Sequence, residues 1–301
     1  MPSEALAQIV AMLRTQQMPA DVDLVAMRNS PRRQVVPLDA DVTVEQVEIG
    51  GVPAEWVSVP NSVDRAVLHF HGGGYCLGSP ESHRQLGARL ARAAAARVLL
   101  PDYRLAPEHP FPAAVDDAVA AYRSLLAQGV APERLAVSGD SAGGGLAVAL
   151  LLALREAGVR LPAAVALQSP WTDLTHSGDS IKTRAERDPM VPPSLLVKMA
   201  DAYLAGAEAT HPLASPLFGD LAGLPPMLIQ VGTEEILFDD GARLADRARA
   251  AGVDVTFEPC EELFHVFQLM AQMLPEGQEA IERIGAFLQA RLARATTATG
   301  D

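Results

Sequence analysis

Cysteine is scarce in this chain: two among 301 residues, Cys76 and Cys260. They lie far apart and neither has a CxxC partner, which excludes a disulfide framework and a zinc knuckle; two reduced thiols are expected. Basic residues are also in short supply. The 24 Lys and Arg stand against 37 Asp and Glu, for a net charge of −13. No run of Lys and Arg occurs, which argues against a nucleic-acid partner, because neutralising phosphates takes clustered cations. A strongly anionic substrate is disfavoured on the same ground. Long apolar runs are missing too. The longest, Ala142–Leu154, is too short to cross a bilayer and carries Gly143, Gly144 and Gly145. The opening MPSEALAQIV has no basic stretch and carries Glu4. No secretory leader or membrane anchor is therefore expected, and the expected location is cytoplasmic.

What is present is globular. Hydrophobic residues make up 49% and charged residues 20%, enough to bury a large core in one large α/β domain or two smaller ones. Residues Ser3–Gln17 read as an amphipathic helix with Leu6, Ile9, Val10 and Leu13 on one face. Its polar face carries only Arg14, so it is expected to pack on the protein body and not on a membrane. Pro19–Asp41, broken by Pro31 and Pro37, reads as a short helix and loop. Val42–Ile49 and Ala54–Val59 alternate like half-buried strands around a Gly50-Gly51 turn.

Beyond them, short apolar runs alternate with helical patterns. The runs are Ala66–Phe70, Val98–Pro101, Leu135–Ser138, Ala163–Leu167, Met227–Val231 and Val253–Phe257. The helical patterns are Glu81–Ala96, Pro112–Gln128, Ala142–Ala157, Asp239–Ala251 and Glu276–Arg294. That order predicts an α/β fold with a mainly parallel sheet of about eight strands and helices on both faces. Thr175–His211 breaks the alternation, with helical segments and no strand, as expected of a lid. The tail Arg291–Asp301 is expected to fray.

Three segments carry chemistry. Gly139-Asp140-Ser141-Ala142-Gly143 follows a strand and opens a helix, the context of a nucleophile elbow. Glycines flank the serine because a Cβ there collides with the neighbouring elements, and the helix N-terminus behind it favours a developing oxyanion. His71-Gly72-Gly73-Gly74-Tyr75 follows the strand Ala66–Phe70. Its uncovered N–H groups can place two donors on one oxygen. No Gly-Lys-Ser/Thr follows, so it is not a phosphate loop, and His69-x-His71 lacks the further ligands of a metal site. His265 stands in the loop after the last strand, where the chain order Ser, acid, His puts the base. The other six histidines lie upstream or in loops and the insertion. The acid should follow the strand Met227–Val231, where Glu234, Glu235, Asp239 and Asp240 compete, and spacing alone does not choose.

Together these motifs resemble the hormone-sensitive-lipase-like branch of the α/β-hydrolase family, which includes many bacterial esterases. His71–Tyr75 and Gly139–Gly144 match its HGGG and GDSAGG motifs. Asp102–Glu108 with Phe111-Pro112-Ala113, Ser169–Asp173 and the stretch from Leu224 through Asp240 to His265 extend the likeness, from about residue 40 to 290. The family's acid loop reads Asp-Pro-Leu-x-Asp. Laid on this chain it falls on Glu235–Asp239, with Glu in place of the first Asp and Ile in place of Pro. The resemblance therefore implies Glu235 as the acid, with Asp239 and then Glu234 as alternatives. It implies an oxyanion hole from the N–H groups of Gly73, Gly74 and Ala142.

It implies further that residues 1–41 and 175–211 form a two-part helical cap on a catalytic domain of 42–174 and 212–301. The activity implied is that of a carboxylesterase acting on short- to medium-chain esters through an acyl-enzyme, with no metal or cofactor. An amidase or peptidase on the same residues, and a non-catalytic binder of small ligands, are the alternatives. A homodimer through Val253–Phe257 and the C-terminal helix is expected from family habit. No role follows for Asp140. Cys76, close behind the glycine loop, is expected to report on access to the site.

Overall fold

Gly50 and Gly51 both take positive φ, +63° and +83°, which turns β1 (Thr43–Ile49) back onto β2 (Val52–Ser58) in a two-residue hairpin. The computed structural model describes residues 3–15, 22–29 and 37–296. The next six strands are β3 (Ala66–Phe70), β4 (Arg97–Pro101), β5 (Leu135–Asp140), β6 (Ala164–Gln168), β7 (Met227–Gly232) and β8 (Val255–Cys260). The helices are α1 (Glu4–Thr15), α2 (Leu24–Arg28), α3 (Pro80–Ala94), α4 (Ala113–Ala127), α5 (Ala142–Glu156), α6 (Ser180–Thr183), α7 (Pro193–Leu204), α8 (Phe238–Ala250) and α9 (Pro275–Thr296).

The strands form one eight-stranded sheet in the order β1-β2-β4-β3-β5-β6-β7-β8. Only β2 pairs antiparallel, with β1 and β4; the pairings from β3 to β8 are parallel. The central strands β3, β5, β6 and β7 are buried along their whole length, as helix cover on both faces requires, whereas β1 at the edge is mostly exposed, with only Ile49 buried. α3 and α9 pack together on one face, and α4, α5 and α8 on the other. Among the described residues no helix is long and apolar enough to cross a membrane.

The expected elements are present, with shifted ends. β2 begins at Val52, two residues before the expected Ala54, because the hairpin pairs Ile49 with Val52 directly after the turn. The expected last strand Val253–Phe257 runs instead from Val255 to Cys260. The Val253 N–H closes the end of α8 on Ala248, and Val253 is thereby withdrawn from the sheet. The tail expected to fray from Arg291 continues α9 to Thr296, with Leu292 buried and Arg291 bonded to Asp254 at 2.8 Å; positions 297–301 lie outside the described residues. α1 packs as expected: Leu6 and Ile9 join a cluster with Leu263, Phe264 and Phe267, the residues around His265. The end of that predicted helix at Gln16–Gln17, and much of the predicted helix and loop Pro19–Asp41 including Pro31, lie outside the described residues.

Candidate active site

Ser141 sits between β5 and α5 at φ +52° and ψ −122°, a strained turn that lifts its side chain off the sheet. Its backbone is locked on both sides: its N–H donates to Gln168 O at 2.9 Å, and its carbonyl accepts the Trp171 N–H at 2.9 Å. The flanking glycines are steric necessities. A Cβ on Gly139 would stand 2.2 Å from Gly143 O, and one on Gly143 would stand 2.0 Å from Phe70 O.

His265 lies in the turn after β8, between buried Phe264 and Val266. The turn is stitched to the loop after β7: Thr233 N–H donates to Cys260 O, Glu234 N–H to Leu263 O, and Glu262 N–H to Thr233 Oγ1. The turn bearing His265 and the loop bearing Glu235 are therefore one unit. Within it His265 Nε2 is 2.9 Å from Ser141 Oγ, and Nδ1 is 3.2 Å from Glu235 Oε1. Burial pushes the His265 pKa down, but the Glu235 carboxylate, helped by Asp188 and Asp140, more than offsets it. The result lies above the usual value of 6.5.

The four carboxylates of the acid loop separate by partner. Glu235 is fully buried; besides His265, its Oε2 accepts the Gly232 N–H at 2.8 Å and the Ser169 hydroxyl at 2.7 Å. Asp239, the alternative acid, turns to the insertion and accepts the Ser180 N–H at 2.8 Å. Glu234 pairs with Arg187. Asp240 accepts the Thr172 and Asp173 N–H groups, and burial pushes its pKa up to about 8. Of the four, Glu235 is the one brought to His265.

Gly73 and Gly74 line the same cavity as Ser141 and His265. Both take positive φ, and the Gly73 carbonyl is held by the Cys76 and Leu77 N–H groups. The N–H groups of Gly73 and Gly74 donate to no partner among the described residues, so they are available to a ligand oxygen. Ala142 opens α5 beside them, with its helix-terminal N–H. The cavity measures about 240 Å³ and is walled by Met27 of α2, Met190 and Val191 of the insertion, and Leu195, Leu196 and Met199 of α7. Cys76 is fully buried and its thiol is pushed up to about 12 by burial, so it does not serve as the reporter of access that its position suggested. Both thiols are free and buried. Among the described residues no cluster of three His, Cys, Asp or Glu is arranged to hold a metal ion.

Two functional positions escaped sequence reasoning. Ser169, at φ +47°, donates to Glu235 and accepts the Val266 N–H at 3.0 Å, tying Glu235 to the residue after His265. Asp188, from the insertion, accepts the Ile236 N–H at 3.0 Å and the Met190 N–H at 2.8 Å, linking the acid loop to the cavity wall. Ser169 had a signal in the quoted Ser-Pro-Trp-Thr-Asp segment; Asp188 had none.

A family model described as alpha/beta hydrolase fold matches residues 67–269. An acetyl-hydrolase of Streptomyces hygroscopicus is 53% identical over 255 residues, covering 85% of this chain and 83% of that protein. A crystal structure of an esterase/lipase from an uncultured bacterium superposes with a TM-score of 0.94 at 46% identity, over 97% of this chain and 100% of the other. An esterase from the bacterial hormone-sensitive lipase family does so with a TM-score of 0.89 at 45% identity, over 97% and 99%.

Proposed function

The chain belongs to the α/β-hydrolase family, in its bacterial hormone-sensitive-lipase-like branch, and on that premise we propose that it hydrolyses carboxylic esters with Ser141 as nucleophile, His265 as general base and Glu235 as the acid that orients it. The observation that carries this reading is the unbroken relay from Ser141 Oγ to His265 Nε2, 2.9 Å, and from Nδ1 to Glu235, 3.2 Å, at the wall of the cavity.

In acylation His265 Nε2 takes the Ser141 proton while Oγ bonds to the ester carbonyl carbon and the carbonyl π pair moves onto oxygen. The N–H groups of Gly73, Gly74 and Ala142 receive that oxyanion. Its collapse expels the alcohol, which takes the proton from Nε2. Water then gives a proton to His265 and adds to the acyl carbon; collapse releases the acid and returns the proton to Ser141. Glu235 stabilises the imidazolium in both halves without taking its proton. Ser169 and Asp188 hold the acid loop in register.

Acyl-enzyme formation is tested by mass spectrometry. Treatment with a fluorophosphonate or a slowly turned-over carbamate is expected to add one adduct per chain, on the peptide bearing Ser141. A fully inhibited enzyme modified elsewhere would remove Ser141 from this role.

Residues 1–41 and 175–211 act as a cap over the domain formed by 42–174 and 212–301. The support is that Met27, Met190, Leu196 and Met199 wall the cavity from those two segments. The cavity falls below the roughly 300–1,000 Å³ of drug-sized sites, which suits short to medium acyl chains of small-molecule esters. Across p-nitrophenyl esters from acetate to palmitate, kcat/KM is expected to peak at about C4–C8 and to fall beyond, each poorly housed methylene costing about 1 kcal/mol or less. A maximum at palmitate would contradict the cap assignment.

A further inference from the structure

We infer that Asp140, the residue before the nucleophile, is a positioning residue of the oxyanion loop: its carboxylate, clasped by two buried histidines, holds Gly72 and thereby sets the N–H groups of Gly73 and Gly74. The inference rests on the reading of Ser141 given above. Asp140 is 1% exposed and lines the cavity. Its Oδ2 accepts the Gly72 N–H at 3.1 Å, and its Oδ1 faces His69 Nε2 at 3.2 Å and His83 Nε2 at 3.3 Å. Approach at Gly72 is as close as the backbone allows. A Cβ there would stand 2.3 Å from Asp140 Oδ2 and 3.1 Å from Ser141 Cβ.

The clasp joins separate elements. His69 belongs to β3 and His83 to the first turn of α3, where Ser82 Oγ meets its Nδ1 at 2.8 Å. The rest of the loop is anchored through carbonyls: Tyr103 donates its hydroxyl to His71 O at 2.7 Å, and the Cys76 and Leu77 N–H groups donate to Gly73 O. Asp140 supplies the complementary anchor, on an N–H, at the residue preceding the two oxyanion donors.

A buried carboxylate has to be hydrogen-bonded to stay charged. Burial alone would raise the Asp140 pKa, but His83 and His69 hold it well below the usual carboxylate range. The carboxylate is thus kept as a strong acceptor for Gly72 N–H, with the two imidazoles against its other oxygen.

The test compares Asp140→Ala and Asp140→Asn with the parent, counting active sites with a fluorophosphonate. It reads kcat and KM on p-nitrophenyl butyrate, and the inhibition constant of an aryl trifluoromethyl ketone, which adds to the serine as an oxyanion. Asp140→Ala is expected to lower kcat per titrated site by about 10²-fold, the scale of losing one oxyanion donor, with KM within about threefold. The ketone should weaken by about the factor lost in kcat/KM. Asp140→Asn keeps an oxygen that accepts from Gly72 and is expected to recover to within about tenfold of the parent. A purely structural role would reduce the number of active sites and leave kcat per site and ketone affinity unchanged; that result overturns the inference, as does an Asn variant no better than the Ala variant. Should Asp140→Ala not fold, His83→Ala removes one side of the clasp; a loss of about tenfold in both kcat and ketone affinity is expected, and no loss overturns the inference. The reading of Ser141 fails by a different result, a Ser141→Ala enzyme that keeps its activity.

Discussion

Ser141→Ala is expected to lower kcat on a p-nitrophenyl ester by about 10⁶-fold, equivalent to about 8 kcal/mol of transition-state stabilisation. The size follows from what is lost. Without Oγ there is no covalent intermediate, and the relay through His265 has no proton to take. A direct attack of water in the intact oxyanion hole still leaves roughly 10³–10⁴-fold over solution. The variant should remain folded. Ser141 Oγ meets only His265 among the described residues, and the backbone bonds to Gln168 and Trp171 do not involve it. Alanine also carries the same Cβ into the strained φ of +52°, so the cost of that turn is already present in the parent. The checks are steady-state kinetics on protein free of parent enzyme, together with circular dichroism and thermal melting. A loss smaller than about 10³-fold with the fold intact would show that another group performs the attack.

What could be read from the chain alone depended on how local the physics is. The strand Ala66–Phe70 was legible to the residue, because a short apolar run between polar turns allows little else. Ser141 was legible because the glycines around it form a recognisable motif; backbone contacts force them, within the motif at Gly139 and with the end of β3 at Gly143. His265 was legible by chain order. The choice of acid was not legible from spacing, since four carboxylates fall within the seven residues 234–240 and only three-dimensional partners separate them. Ser169 reaches Glu235 across 66 residues, Asp188 reaches Ile236 across 48, and Asp140 reaches Gly72 across 68. Such contacts leave no periodic trace. The strand ends misjudged at β2 and β8 were decided by turn and helix-end hydrogen bonds, which override apolar patterning. The continuation of α9 was set by tertiary contacts that composition does not carry, burial of Leu292 and the bond from Arg291 to Asp254.

Glu235→Gln is expected to lower kcat/KM by about 10⁴-fold near neutral pH, whereas Asp239→Ala stays within about threefold. The amide presents an N–H to His265 Nδ1 in one orientation, which favours the imidazole tautomer carrying its proton on Nε2. That tautomer cannot accept from Ser141. In the other orientation the geometry survives but the negative charge that stabilises the imidazolium is gone. Among the described residues the Asp239 carboxylate bonds only to Ser180 in the insertion, so its loss reaches the relay weakly. The pH profile separates this from a simple loss of stability. His265 acts as base only when neutral, so kcat/KM rises with pH through its pKa. Burial lowers that pKa, but the Glu235 charge with those of Asp188 and Asp140 carries it above 6.5; the acid limb of the parent should therefore lie above 6.5. Removing the Glu235 charge leaves burial less opposed, and the limb of the variant should move to lower pH. The deficit of Glu235→Gln is accordingly smaller in acid than at alkaline pH. If the limb stays in place, or if Asp239→Ala loses more activity than Glu235→Gln, the carboxylate coupled to His265 is not Glu235.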